Sequence, residues 1–394
     1  MAYPTAIGCG CLLGAGGLSH VLAAEWSVQP ILSMESDYDS DRNLQVGTGG
    51  SEAATLYTDL RLQRSVESMQ ILLEPRFDVR RYSASIWGPG NDRSLTGDFT
   101  WTSERTKVSL MGFIGNQTTL TTEPSETGII NGSIRRRSSQ ASGEWDWSHS
   151  ELRQSFVQAS YTGAAYSGGQ PQLLELELPG YHFSSGAIGE RFFPTEKWTL
   201  SVSAFGDALS STRPGSSSHE EGGQVEANYR YTERTTFDVS IGESKRSLAG
   251  QTGTGTDASV SVTETLERGS AALAYVRSLV PYGIGYLVQR QQFTASLVRP
   301  VAPTLDWNLT VLRIQNNAST VRLGLDRPSY LNTQVGLDWH IGESWSLLPT
   351  AGTSWSRPIT PPVLAQTGFR EPTVFEWRAA LTLVWQPLPA ARSR

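Results

Sequence analysis

Five histidines offer the most versatile chemistry in this 394-residue chain: His20, His149, His182, His219 and His340. A histidine beside a hydroxyl can serve as the base of a hydrolytic pair when a third group orients its ring. His182 and Ser184 meet that requirement by residue type. The chain has no Gly-x-Ser-x-Gly elbow to present a nucleophile, and serine is so frequent that adjacency carries little weight. His340 with Asp338 and Glu343 is a cation-binding set by type, although a hydrated rim residue is the simpler reading. Asp37, Asp39 and Asp41 begin like a calcium loop, yet the glycine and distant glutamate that complete one are absent. A solvated acidic loop explains them more simply than weak divalent binding. Both cysteines, Cys9 and Cys11, lie in the first 23 residues. The chain shows neither Cys/His metal spacing, nor a phosphate loop, nor a dinucleotide fingerprint. The residues therefore predict no catalysis, no cofactor and no metal.

The elements that must position the remaining polar residues are strands. Mean hydropathy is −0.29, and no run approaches the ~18 apolar residues of a spanning helix. A membrane barrel produces such an average because only alternate strand residues face lipid. Residues 1–23 lack Asp, Glu, Lys and Arg and end Val21-Leu22-Ala23, which predicts a secretory signal peptide despite a missing positive n-region. The formal net charge of −6 argues against a nucleic-acid partner. From Trp26 onward the period is two. Trp26, Val28, Pro30, Leu32, Met34 and Tyr38 alternate with Ser27, Gln29, Ser33, Glu35 and Asp37. Leu331, Thr333, Val335, Leu337 and Trp339 alternate with Asn332, Gln334, Gly336, Asp338 and His340.

The connections alternate as well. Short polar turns are expected at 66–68, 103–106, 148–151, 191–197, 232–235, 266–269, 299–303 and 341–344. Longer loops are expected near 39–53, 83–93, 121–135, 165–178, 210–220, 247–256, 280–285, 316–328 and 358–372. Short turns on one side and long loops on the other characterise outer-membrane barrels. The count predicts about 18 antiparallel strands in an all-β, up-and-down transmembrane barrel, with short periplasmic turns, extracellular loops and both termini periplasmic. Sixteen strands are the alternative, if Val260 to Arg277 forms one strand instead of a hairpin at Glu267-Arg268-Gly269. The expected division is a leader at 1–23, the barrel at 24–386 and a short tail at 387–394. A charged turn followed by an alternating strand recurs after Glu104, Glu196, Glu233 and Glu343, which makes the repeated unit a hairpin.

Amphipathic rings prefer the membrane–water interface. Trp26, Trp101, Trp147, Trp198, Trp339, Trp345 and Trp385 fall near short-turn ends or termini, while Tyr38, Tyr82 and Tyr330 fall near long-loop ends, and together they predict two girdles. The opposite parity predicts the lumen lining: Asp59, Arg61, Glu74, Arg76, Asp78, Arg80, Arg290, Asp338, Glu376 and Arg378. Interleaved acids and arginines would impose a transverse field on a permeating solute. Pairing across the wall is the plainer account of the same residues.

Glu25-Trp26-Ser27-Val28-Gln29-Pro30, Glu74-Pro75-Arg76-Phe77-Asp78-Val79-Arg80-Arg81-Tyr82, Arg135-Arg136-Arg137 and Gly285-Tyr286-Leu287-Val288-Gln289-Arg290 make up a set of motifs. This set resembles large outer-membrane barrels that accompany exosortase (PEP-CTERM) and exopolysaccharide loci in Gram-negative bacteria. The resemblance implies a role in envelope export or surface-polymer assembly. The expectation is a porin-like barrel passing or exporting a hydrophilic solute or polymer. The alternatives are a non-conducting anchor for export or sorting machinery and, less simply, a barrel-embedded hydrolase. Expected partners are outer-membrane lipid and lipopolysaccharide, the barrel-assembly machinery and polysaccharide-export components.

Overall fold

The computed structural model describes residues 25–42, 49–84, 90–119, 134–167, 179–212, 216–248, 251–282, 286–317, 329–357 and 373–393. The leader expected at 1–23 lies outside them. The chain forms a closed antiparallel barrel in which strands adjacent in sequence are neighbours in the wall. The first nine strands are β1 (Glu25–Asp39), β2 (Ser51–Val66), β3 (Met69–Tyr82), β4 (Gly90–Thr102), β5 (Thr106–Thr118), β6 (Arg135–Ser150), β7 (Arg153–Ser167), β8 (Tyr181–Thr195) and β9 (Trp198–Ser211). The next nine are β10 (Ser218–Arg230), β11 (Thr235–Leu248), β12 (Gln251–Thr265), β13 (Ser270–Tyr282), β14 (Tyr286–Ala302), β15 (Leu305–Asn317), β16 (Ser329–His340), β17 (Trp345–Arg357) and β18 (Val374–Trp385). The wall closes where β1 pairs with β18, from Leu32↔Trp385 to Asp39↔Arg378. Closure there removes the free edges that β1 and β18 would otherwise present.

Eighteen wall strands settle the strand number. Thr265↔Ser270 closes a hairpin between β12 and β13, and its turn carries Gly269 at φ +107. A Cβ there would sit 2.0 Å from the Val298 carbonyl oxygen, so only glycine fits. The other short turns fall at or close to the expected places, although residues 191–195 and 299–302 belong to β8 and β14, and hydroxyls build several of the turns. Ser103 accepts from the Thr106 amide at 3.2 Å, Thr232 from the Thr235 amide at 2.9 Å, and Thr195 from the Lys197 amide at 3.3 Å. These hydroxyls immediately precede Glu104, Glu233 and Glu196, so turn chemistry accounts for the repeat.

Three expectations change. The segment 247–256 is not a long loop: β11 runs to Leu248, β12 starts at Gln251, and these residues pair. The segment 280–285 shrinks likewise, because Tyr282 pairs with Tyr286. Thr and Gly in the first segment and Pro281 and Gly283 in the second read as turn residues, yet cross-strand pairing overrides those preferences. The tail expected at 387–394 is tied down over its described residues. Ala390–Ser393 forms β19, which pairs with β1 at Glu25–Val28. Pro387 and Pro389 lack the amide needed to continue β18 without a break. Gln29 Nε2 donates to the Pro387 carbonyl at 2.9 Å.

Alternation fixes what each face presents. On β1, Trp26, Val28, Leu32, Met34 and Tyr38 are exposed on the outside, while Gln29, Asp37 and Asp39 are buried inside. The same parity leaves Phe77, Ile114, Ile188, Val202, Ile241 and Val260 exposed around the outer wall. An apolar outside and a polar inside is the inverse of a water-soluble barrel.

Candidate functional site

The lumen is the candidate site, and its two halves differ. On β1–β3 and β18 the inward parity assembles a column of charge. Arg61 pairs with Glu74 at 2.7 Å, and Arg76 with Asp78 at 2.9 Å and Asp59 at 3.7 Å. Arg378 reaches Glu35 at 2.8 Å and Asp37 at 3.5 Å. Arg80 is held by neutral oxygens, donating to Thr55 Oγ1 at 2.7 Å and Tyr57 Oη at 2.9 Å. Glu376 is buried on the same face. The Arg61, Arg76 and Arg378 side chains remain 41–45% exposed although they point inward. Interior space therefore adjoins them.

The opposite half is covered. Beyond Ala258↔Arg277 the ladder between β12 and β13 stops, although β13 continues to Tyr282 paired with β14. The far ends of β13 and β14 part from β12 and bend into the lumen, while β14 stays paired with β15 as far as Gln289↔Asn317. Burial demonstrates this: Leu287, Val288, Gln289 and Arg290 are 1, 5, 8 and 9% exposed in succession. A wall strand with one face outside cannot bury four consecutive residues. Leu279 and Leu287 pack against Ala164, Tyr181, Phe183 and Leu209 of β7–β9, and β9 stands four positions round the wall from β13. Keeping each leucine out of water contributes roughly 1.5–3 kcal/mol. Gln289 Nε2 donates to the Thr256 carbonyl at 3.1 Å, and Arg277 Nη2 donates to Gln289 Oε1 at 3.0 Å. Side chains thus bridge the place where the ladder ends.

Beneath this hairpin lies a cavity of about 190 Å³ bordered by Phe205, Glu220, Asp257 and Val280. Arg246 joins Glu220 at 2.7 Å and Asp257 at 2.8 Å, and its side chain and that of Glu220 are 5% and 1% exposed. Ser244 also donates to Glu220. Burial divides the two charge systems energetically. The exposed pairs on β1–β3 contribute about 0–1 kcal/mol each, whereas removing one partner beneath the hairpin strands a buried charge. A third system lies on β6–β8, where Arg191 binds Glu144 at 2.6 Å and Asp146 at 2.5 Å, with Phe156 beneath its guanidinium.

Of the lumen residues named from sequence, Asp59, Arg61, Glu74, Arg76, Asp78, Arg80, Glu376 and Arg378 gather on one stretch of wall. Arg290 stands apart on the bent hairpin, with Nε bonded to Asn316 Oδ1 at 3.1 Å. Asp338 lies near His340, 3.8 Å away. The sequence reading missed Glu144, Asp146, Arg191, Glu220, Arg246 and Asp257, although inward parity on β6, β8 and β10–β12 marks each of them.

Trp26, Trp101, Trp147, Trp198, Trp339 and Trp345 stand exposed on the outside, as does Tyr38. Trp385 is packed near Trp345. Tyr82 and Tyr330 do not join an outer girdle. Both turn inward, because Tyr82 shares the parity of Arg80, and Tyr330 that of Asn332. Tyr330 and Ile314 form a buried cluster that Tyr82 and Ala84 pack against, although β3 and β15 stand six positions apart round the wall. This contact crosses the lumen between β3 and β15–β16 and narrows it there. Trp355, Phe375 and Trp377 instead present aromatic surface outside, with Trp377 4.8 Å from the Tyr38 ring.

His182 faces outward and meets the Tyr161 hydroxyl at 2.6 Å through Nδ1, so the suggested partner Ser184 does not engage that nitrogen. His340 Nδ1 meets Ser346 Oγ at 2.9 Å and its Nε2 lies 3.7 Å from Asp306. Glu343 belongs to the turn rather than to this group. Asp37 binds Arg42 at 2.5 Å, so the acidic start of that loop is an internal ion pair. Among the described residues, no group of three His, Cys, Asp or Glu side chains could hold a metal ion.

No family model matches the chain, and the search of curated proteins finds no match. Among solved structures, the siderophore receptor PirA from Acinetobacter baumannii aligns at TM-score 0.48 and 7% identity, over 91% of this chain and 80% of that one. Pseudomonas aeruginosa OpdQ aligns at 0.46 and 9%, over 92% and 98%. Pseudomonas aeruginosa OccK8 (OprE) aligns at 0.45 and 10%, over 93% and 98%.

Proposed function

We propose that this chain is an outer-membrane barrel through which small hydrophilic solutes diffuse, with its short turns and termini on the periplasmic side. One observation carries the reading: the arginines and carboxylates on β1–β3 and β18 point inward yet keep accessible surface. They line a passage rather than filling a core. Paired charges of both signs orient a zwitterion or a sugar without binding it tightly. The bent hairpin and the Tyr82–Tyr330 contact favour small solutes over a bulky surface polymer. The barrel's surroundings in this reading are outer-membrane lipid and lipopolysaccharide.

Liposome swelling tests the proposal. Vesicles holding the purified barrel should admit monosaccharides and small amino acids, with rates falling steeply for tri- and tetrasaccharides. Swelling no faster than in protein-free vesicles would favour the alternative, an anchor or assembly partner of export machinery. The packing of Tyr82 and Ala84 on Tyr330 and Ile314 is the observation that favours that alternative.

A further inference from the structure

We infer that the β13–β14 hairpin has two seats, the inward one described above and a second one in the barrel wall, and that exchange between them gates the lumen. The gating consequence rests on the passage reading; the exchange itself does not. Three observations support two seats. First, the wall position is vacant on its β12 side, where the ladder to β13 begins only at Ala258. Continuing that register would place Asp257 opposite Ser278, Thr256 opposite Leu279 and Thr254 opposite Pro281. Every second added pair would supply two backbone hydrogen bonds that the inward seat forgoes.

Second, the hairpin's alternation fits the wall. Leu279 and Pro281 share the parity of Leu273 and Tyr275, which are exposed on the outside, and Leu287 shares that of Phe293. Swung outward, the two leucines that now bury on β7–β9 would meet the apolar surroundings that Leu273 and Phe293 already face. Leu279, Pro281 and Leu287 therefore find apolar surroundings in either seat, while Gln289, which shares their parity, would exchange its bond to Thr256 for a place beside Arg277 at the outer rim. Third, where the ladder ends, polar side chains stand in for backbone pairing. Gln289 bridges to the Thr256 carbonyl in place of a ladder, and Arg277 Nε has no hydrogen-bond partner among the described residues. The wall seat would uncover the cavity bordered by Phe205, Glu220 and Asp257 and widen the lumen on that side.

Paired cysteines distinguish the seats, in a chain carrying Cys9→Ser and Cys11→Ser. Leu209→Cys with Leu287→Cys reports the inward seat, and Thr254→Cys with Pro281→Cys reports the wall seat. Folding is checked by heat-modifiable migration on gels. Both pairs should cross-link under mild oxidation. The first lock should lower single-channel conductance severalfold relative to the second, and reduction should abolish the difference. A quantitative Leu209–Leu287 link with no Thr254–Pro281 link in folded barrels would overturn the proposal, as would two links with equal conductance. If the Pro281 variant fails to fold, Gln289→Ala serves instead: it should raise the fraction of time spent in the larger conductance state, and an unchanged fraction would overturn the proposal. Absence of current from every form, with both links present, would defeat the passage reading while leaving the two seats standing.

Discussion

Burial decides which charged side chains hold the molecule together and which act on a solute. Arg246 and Glu220 lie beneath the hairpin with almost no exposed surface, so Arg246→Ala leaves a buried carboxylate without its guanidinium. We expect a loss of about 3–5 kcal/mol, read as a lower urea midpoint for the folded barrel. Glu220→Gln and Asp257→Asn combined with Arg246→Met should cost much less, because no charge is then stranded. Arg61 is accessible to the lumen, so its replacement should cost at most ~1 kcal/mol. Arg80 differs from Arg61 in being held by Thr55 and Tyr57 rather than by a carboxylate. Arg80→Ala should therefore shift the reversal potential under a salt gradient towards cations more than Arg61→Ala does.

At the scale of elements, the turn between β12 and β13 makes the clearest demand on one residue. Gly269→Ala places a methyl against the Val298 carbonyl at positive φ, and should cost more than ~1 kcal/mol and lower the folded yield on gels. The strand faces predict a second contrast between neighbours on β8. Ile188→Arg points a charge outward and should destabilise by about 2–4 kcal/mol near mid-membrane, whereas an outward polar change near the rim should cost little. Strands, turns and faces were legible in the sequence because period two assigns every residue on a wall strand to one side. Tyr82 was legible too: its parity with Arg80 puts it inside, and only its closeness to a loop suggested a girdle. The bent hairpin was not legible. Leu279 and Leu287 alternate just as wall residues do, so the pattern is identical for a hairpin in the wall and one folded into the lumen. The inward placement rests on long-range packing against Tyr181, Phe183 and Leu209, and no local signal encodes that packing.

For the whole molecule, an eighteen-strand barrel encloses more space than its own inward side chains fill. The hairpin occupies one side, and the Tyr82–Tyr330 contact crosses between β3 and β15–β16. What remains is a passage beside the arginines and carboxylates of β1–β3 and β18, and the claim that water and small solutes use it is the centre of this account. Single-channel recording in planar bilayers tests it most directly, comparing the native barrel with Leu279→Ala/Leu287→Ala, which removes the hairpin's apolar anchors. The account predicts discrete conductance steps from the native protein and larger steps from the variant. Folded barrels of both kinds that insert yet give no steps above the bare bilayer would contradict it.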